Sequence, residues 1–265
     1  MDLREIQNRK NSSSNRHPWE LARLEILKKK LNAISKNLNT NEIVIVDIGC
    51  GDTFVLETIS EHFRFKNFYG VDTAFQSEDI NNIEKKYNGK IKLFNDVNDL
   101  KLNEKDVHIV LLMDVIEHIE NDKKFVNDLY KKEFINEKSV ILATVPSYQN
   151  LFCSHDNFLL HFRRYKNSEF INLFEGAGFK ITESGYFFFV LIIPRIIKVL
   201  AEKVFPNKTD NSINGSALTY WNHNKLITNF FKFVLMTDYR LSAFFLRLKI
   251  KIPGLSNFVI CKKFA

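Results

Sequence analysis

Asp47 ends the apolar run Val44-Ile45-Val46, and within two residues the chain becomes a glycine turn, Gly49-Cys50-Gly51-Asp52-Thr53-Phe54. Glycines at such a junction let the backbone bend sharply and approach a ligand, as at the first strand-to-helix turn of a nucleotide-binding α/β sheet. A dinucleotide fingerprint reads G-x-G-x-x-G and packs a pyrophosphate against a helix N-terminus. Here Phe54 replaces its last glycine, and Asp47 would repel the anion. The carboxylate suits a ligand carrying an ammonium group. Further on, Phe68-Tyr69-Gly70-Val71-Asp72 is a second short strand ending in an acid. A carboxylate at that position is placed to grip both hydroxyls of a ribose.

These residues resemble the class I S-adenosylmethionine-dependent methyltransferases. The resemblance runs from about Val44 to Phe179, and the family pattern D-x-G-x-G-x-G is matched except at its last glycine, which is Thr53. The resemblance implies that S-adenosylmethionine is the cofactor, with Asp47, Gly49 and Gly51 along its methionine part and Asp72 on its ribose. It implies Asp96, with Val97 beside it, at the adenine amino group. The segment Met113-Asp114-Val115-Ile116-Glu117-His118 is similar to the D-V-L-E-H element of the ubiquinone-methyltransferase-like branch, which passes beside the methyl donor. Met113 is therefore expected at the donor. Asp114 and Glu117 have a plainer reading, since acids favour the positive start of a helix.

Ligands of open α/β sheets lie beyond the C-terminal strand ends, so the loop after the fifth strand is expected to roof the donor and hold an acceptor. It contains Cys153-Ser154-His155-Asp156 and His161-Phe162-Arg163-Arg164-Tyr165. Methyl transfer to a hydroxyl needs the oxygen aligned behind the S–CH3 bond and its proton taken up, and a neutral histidine can accept that proton. His155, paired with Asp156 or another carboxylate, is the first candidate base, ahead of His118 and His161. The competing reading of His161, Arg163, Arg164 and Tyr165 is a structural clamp on the loop. A similar H-D-x-x-L-x-H-x-R-R-Y run, with a tryptophan-containing start like His17-Pro18-Trp19, occurs in methyltransferases often seen with cell-surface glycan or lipid enzymes.

The elements that position these groups can be read from periodicity. Residues 1–16 form a polar tail, and 17–40 a lid helix opened by Pro18. Strands near 43–47, 67–71, 91–94, 107–112 and 139–144 alternate with helical stretches near 54–63, 78–88 and 121–135, which calls for parallel strands with crossover helices. A sixth strand begins at Lys180, and 255–265 supplies the last, antiparallel one. The fold expected is α/β: a doubly wound, Rossmann-like, seven-stranded sheet. The cofactor core spans 41–184, and a basic, aromatic helical insertion spans 185–254.

At 265 residues and 45% hydrophobic, the chain suffices for one elaborated domain. Cys50, Cys153 and Cys261 are far apart and show no C-x-x-C spacing, which argues against a disulfide framework or a zinc site and fits a cytoplasmic protein. No metal is expected. From Gly185 onward there are twelve Lys or Arg against three acids, more than the whole formal net charge of +7. Its apolar runs are shorter than the ~20 residues that span a bilayer, but cations among phenylalanines suit contact with the inner face of a membrane through 186–200 and 225–251. The plainer reading is a buried strand at 186–193 and a core-covering helix at 224–247. Nucleic acid is disfavoured as a partner, because the cations lie among phenylalanines and no N/D-P-P-Y element follows the fourth strand. The expected activity is methyl transfer to an oxygen, less readily a nitrogen, of a glycan, lipid-linked or quinone-like acceptor. The alternative is a noncatalytic membrane-associated partner of a glycan-assembly complex that keeps the fold.

Overall fold

The computed structural model describes residues 16–38, 40, 42–100, 102, 107–205, 221 and 224–264. Residues 1–15 of the expected tail, and 206–220, 222 and 223 of the expected insertion, lie outside the described residues. Helix α1 (Pro18–Lys36) opens with His17 at its N-cap and Pro18 in its first turn. Proline is tolerated there because its missing N–H has no helical partner. The apolar stripe Ala22, Ile26, Leu27, Leu31 and Ile34 is buried, so the expected lid helix is packed into the core.

Strand β1 (Val44–Ile48) is buried at every position, and it splits its side chains by alternation. Ile45 joins the core layer beneath α1 and α8 (Lys225–Arg247), whereas Val44 and Val46 join the layer on the opposite face. The near-continuous apolar run follows from burial on both faces, as in parallel sheets covered by helices. β1 pairs in parallel with β2 (Asn67–Val71) and with β4 (Ile109–Met113). β3 (Ile91–Phe94) extends the sheet beyond β2, and β5 (Val140–Pro146) extends it beyond β4. β7 (Ser256–Lys263) inserts antiparallel between β5 and β6 (Phe179–Phe187). The order is β3-β2-β1-β4-β5-β7-β6, so strand order reverses between β1 and β4. The crevice at their C-terminal ends is where ligands of such sheets bind.

The crossover helices are α2 (Phe54–His62), α3 (Ser77–Lys86), α4 (Asp122–Tyr130) and α6 (Asn167–Gly176), with the one-turn α5 (Ser154–Phe158) above the sheet. α4 stops five residues before the expected 135, because Phe134 and Ile135 turn inward and are buried. Between 95 and 105 the chain makes only a 3-10 turn, Val97–Asp99, capped by Asp96. β6 continues to Phe187, into the segment expected as insertion, because Gly185, Tyr186 and Phe187 pair with Phe258, Asn257 and Ser256. After it come a 3-10 turn (Phe189–Leu191), α7 (Ile192–Val204) and α8.

Gly254 sits against the end of β6 so closely that a Cβ would lie 2.3 Å from the carbonyl oxygen of Phe187. Backbone cannot yield as a flexible side chain does. Gly254→Ala is expected to lower stability by about 1–3 kcal/mol, read from denaturant midpoints. Gly176, with nothing within 4 Å of its Cβ position, is the control: Gly176→Ala should be neutral or stabilising by up to about 1 kcal/mol.

Candidate active site

The glycine turn is laced to the end of β2. The amides of Gly49 and Cys50 donate to the Val71 carbonyl at 2.7 and 3.2 Å, and the Gly51 amide donates to the Asp72 carboxylate at 2.9 Å. Gly49 has φ +74°, and a Cβ there would meet Val115 Cγ2 at 2.5 Å, so only glycine fits. Thr53, where the family pattern has its last glycine, takes the left-handed conformation with φ +61°. Its hydroxyl donates to Glu57 at 2.5 Å, and the residue is buried. The departure from the pattern therefore keeps the backbone turn that a glycine would make.

A cavity of about 870 Å³ opens beyond this turn. One end is walled by Gly49, Asp72, Asp96, Val97 and Met113, and the other by His118, His155, His161, Arg164 and Arg195. Two expected donor residues, Asp47 and Gly51, are not on its wall. Asp47 is 2% exposed behind the turn, and burial raises its carboxyl to about 7 against the opposing pull of Arg23. Asp72 accepts from the amides of Gly51 and Ala74 while its side chain still borders the cavity. It thus shapes the turn as well as facing a ligand.

At the far end the organising group is Asp156, fully buried in α5. Its carboxylate accepts from His161 Nδ1 at 2.9 Å, from Arg164 Nε and Nη2 at 2.8 and 2.7 Å, and from the Cys153 amide at 2.9 Å. Arg195 lies 3.4 Å away and also donates to the Cys153 sulfur. Burial alone would raise the Asp156 carboxyl; the His161 hydrogen bond and the Arg164 charge overcome it and hold it well below the usual carboxylate range. The partner of Asp156 is thus His161, not His155. Burial and the charges of Arg195 and Lys198 push His155 down to about 3, so it is neutral and weakly basic, against the expectation of a base near neutral pKa.

The sequence placed Glu117 in the segment expected beside the donor, with a helix-start acid as its plainer reading, and gave no sign of Arg23. Glu117 is fully buried in the 3-10 turn Ile116–His118, borders the cavity, and has no hydrogen-bond partner for either carboxylate oxygen among the described residues. Burial, then the charge of Asp114, pushes its carboxyl well up. Arg23, from α1, pairs with Asp114 and donates to Thr144 Oγ1 at 3.0 Å. Thr144 in turn donates to Asp114 at 2.8 Å, and this clamp holds Asp114 at φ +58°. Arg16 reaches Asp52 at 2.5 Å and lies 3.9 Å over the Phe54 ring, so the residue just before the α1 N-cap closes on the glycine turn. For Arg23, in the second turn of an N-terminal helix, there is no local signal of its role, because its partners lie just after β4 and on β5. The clamp reading of Arg163 and Arg164 is met by their hydrogen bonds: Arg163 donates to the carbonyls of Ile119 and Glu120, and Arg164 to that of Ser147. Removing Asp156 would take the carboxylate from the buried Arg164 guanidinium and from Arg195 beside it. Asp156→Ala is expected to cost about 3–5 kcal/mol in chemical denaturation.

The methyltransferase domain family matches residues 19–184, more than half of the chain. No curated protein matches the sequence. Among solved structures, coclaurine N-methyltransferase bound to N-methylheliamine and S-adenosylhomocysteine is similar with a TM-score of 0.53 and 14% identity, over 92% of this chain and 70% of that one. Phosphoethanolamine N-methyltransferase 2 of Haemonchus contortus, in complex with S-adenosyl-L-methionine, gives a TM-score of 0.51 and 15% identity over 89% of this chain and 52% of that one. A cyclase gives a TM-score of 0.50 at 11% identity, over 89% of this chain and 80% of that one. At these identities the likeness is one of fold, and fold alone does not set a reaction. The family match and the crevice at the β1/β4 switch point agree, and the chain belongs to the methyltransferase domain family.

Proposed function

We propose that the chain binds S-adenosylmethionine at the glycine turn and transfers its methyl group to an oxygen of a lipid-linked acceptor, a glycan or quinone carrier among them. The observation that carries the lipid-linked class is the two-sidedness of α7. Leu191, Pro194, Arg195 and Lys198 recur at helical spacing and close the acceptor end of the cavity. Glu202 continues that stripe and accepts from the amide and hydroxyl of Ser154 at 2.9 and 2.5 Å. The opposite stripe, Ile193, Ile196, Ile197, Leu200 and Val204, is exposed, as are Leu226, Phe230 and Phe233 on α8. One helix thereby joins the cavity to an apolar surface set among cations, the composition of an interfacial helix. No helix among the described residues is long and apolar enough to cross a membrane.

In the reaction proposed, the acceptor oxygen forms a bond to the methyl carbon as the S–CH3 bond breaks, the sulfonium becomes a neutral thioether, and the hydroxyl proton leaves. The protein's contribution is chiefly alignment. Asp72 and Asp96 hold the donor, Met113 lies on the same end of the wall, and Arg23 also borders the cavity. The proton departs toward the wall formed by Glu117, His118 and His161, with His155 as a neutral neighbour.

Incubation with radiolabelled S-adenosylmethionine and a total lipid extract should place label in the organic phase, and label confined to soluble glycan would contradict the lipid-linked class. Ile197→Glu, on the outer face of α7, should lower co-sedimentation with anionic vesicles by about tenfold. Equal sedimentation of the variant and the parent protein would remove the membrane contact.

A further inference from the structure

We propose that Glu117, His118 and His161 form a binding site for a divalent first-row cation of the Zn2+ or Mn2+ class. One ligand atom from each residue lies within 4.8 Å of the others, on the wall of the cavity. Zinc–nitrogen and zinc–oxygen bonds of about 2.0–2.2 Å draw such atoms to within ~3.4 Å of one another, a contraction that small side-chain rotations supply. The backbone builds this juxtaposition, because the Phe162 amide donates to the Glu117 carbonyl at 2.8 Å and so lays residues 161–162 beside the 116–118 turn. The two imidazoles meet edge to face with centroids 4.6 Å apart.

Two independent observations point to a cation. Glu117 is fully buried, and neither of its side-chain oxygens has a hydrogen-bond partner among the described residues, so both are left without the polar partners that burial calls for. The neighbouring carboxylate, Asp114, is taken by Arg23 and Thr144 and does not join the set. His161 is oriented as metal-bound histidines are: Asp156 accepts from its Nδ1 at 2.9 Å, which fixes the proton there and turns the Nε2 lone pair away for a ligand. Two histidines and a glutamate also form a catalytic type of metal site, which keeps positions open for water or substrate. That a bound cation holds the acceptor oxygen and makes its proton easier to lose rests on the proposed methyl transfer. The metal binding itself does not.

The test is titration of the chelator-treated full chain with Zn2+ by calorimetry and with Mn2+ by electron paramagnetic resonance, in the parent protein, Glu117→Gln and His161→Ala. One equivalent is expected to bind the parent protein, with affinity at least tenfold weaker in each variant. Asp156→Asn, which touches only His161 of the set, should weaken binding 10–100-fold, as loss of a partner behind a ligand does. No binding of either cation at millimolar concentration, or equal binding by the parent and folded Glu117→Gln, would overturn the site. If Glu117→Gln does not fold, His118→Ala, checked by near-ultraviolet circular dichroism, takes its place under the same criterion. S-adenosylhomocysteine affinity measured on the same samples reports on the donor reading separately.

Discussion

A single buried carboxylate governs the far end of the cavity. Asp156 sits where an ionised acid would be expelled or neutralised, yet two arginines, a histidine and an amide surround it. These partners come from three parts of the chain: Arg195 from α7, Arg164 and His161 from the segment after α5, and Cys153 from the segment before it. An ion cluster of this kind is weak evidence for stability, because desolvation opposes the Coulomb gain. Its effect is positional. It ties the roof to α7 and sets which nitrogen of His161 carries the proton, while burial, with the charges of Arg195 and Lys198, disfavours protonation of His155.

The donor end depends on backbone geometry more than on charge. Gly49 has no room for a side chain, Thr53 holds a left-handed turn at a non-glycine position, and Asp72 spends one carboxylate oxygen on the Gly51 amide. Backbone strain at a ligand site is of order 1–3 kcal/mol per residue and persists where surrounding structure over-determines it. Here the over-determination comes from the N-terminal segment. Arg16 covers Asp52 and Phe54, and Arg23 locks Asp114 to Thr144, so that α1 joins the ends of the two central strands.

How much of this was legible in the sequence follows from how local each signal is. Strands β1 to β5 and the turn after β1 could be read because apolar runs, an acid and two glycines are contiguous. The last strand could be read from an apolar C-terminal run. The pairing of His161 with Asp156 was misread as His155 with Asp156, because adjacency in sequence suggests a pair, whereas a one-turn helix carries neighbouring side chains in different directions. Glu117 reads equally as part of the segment beside the donor and as a helix-start acid. The Phe162 amide, more than forty residues away, donates to its carbonyl, a long-range contact that no local pattern encodes. Cysteine spacing carries no signal for the proposed cation site, whose ligands are a glutamate, its neighbour and a distant histidine. The insertion boundary fell at 185 because the aromatic run begins there, while the strand continues as long as β7 offers hydrogen bonds.

The most direct test of the account is whether S-adenosylmethionine and S-adenosylhomocysteine occupy the cavity beyond the glycine turn. Calorimetry on the purified chain, with NAD as the control and Gly49→Ala as the variant that closes the turn, addresses this in one series. The account predicts micromolar binding of both sulfur ligands, none of NAD, and loss of both in Gly49→Ala. Absence of binding by the parent protein, or binding unaffected by Gly49→Ala, would contradict it.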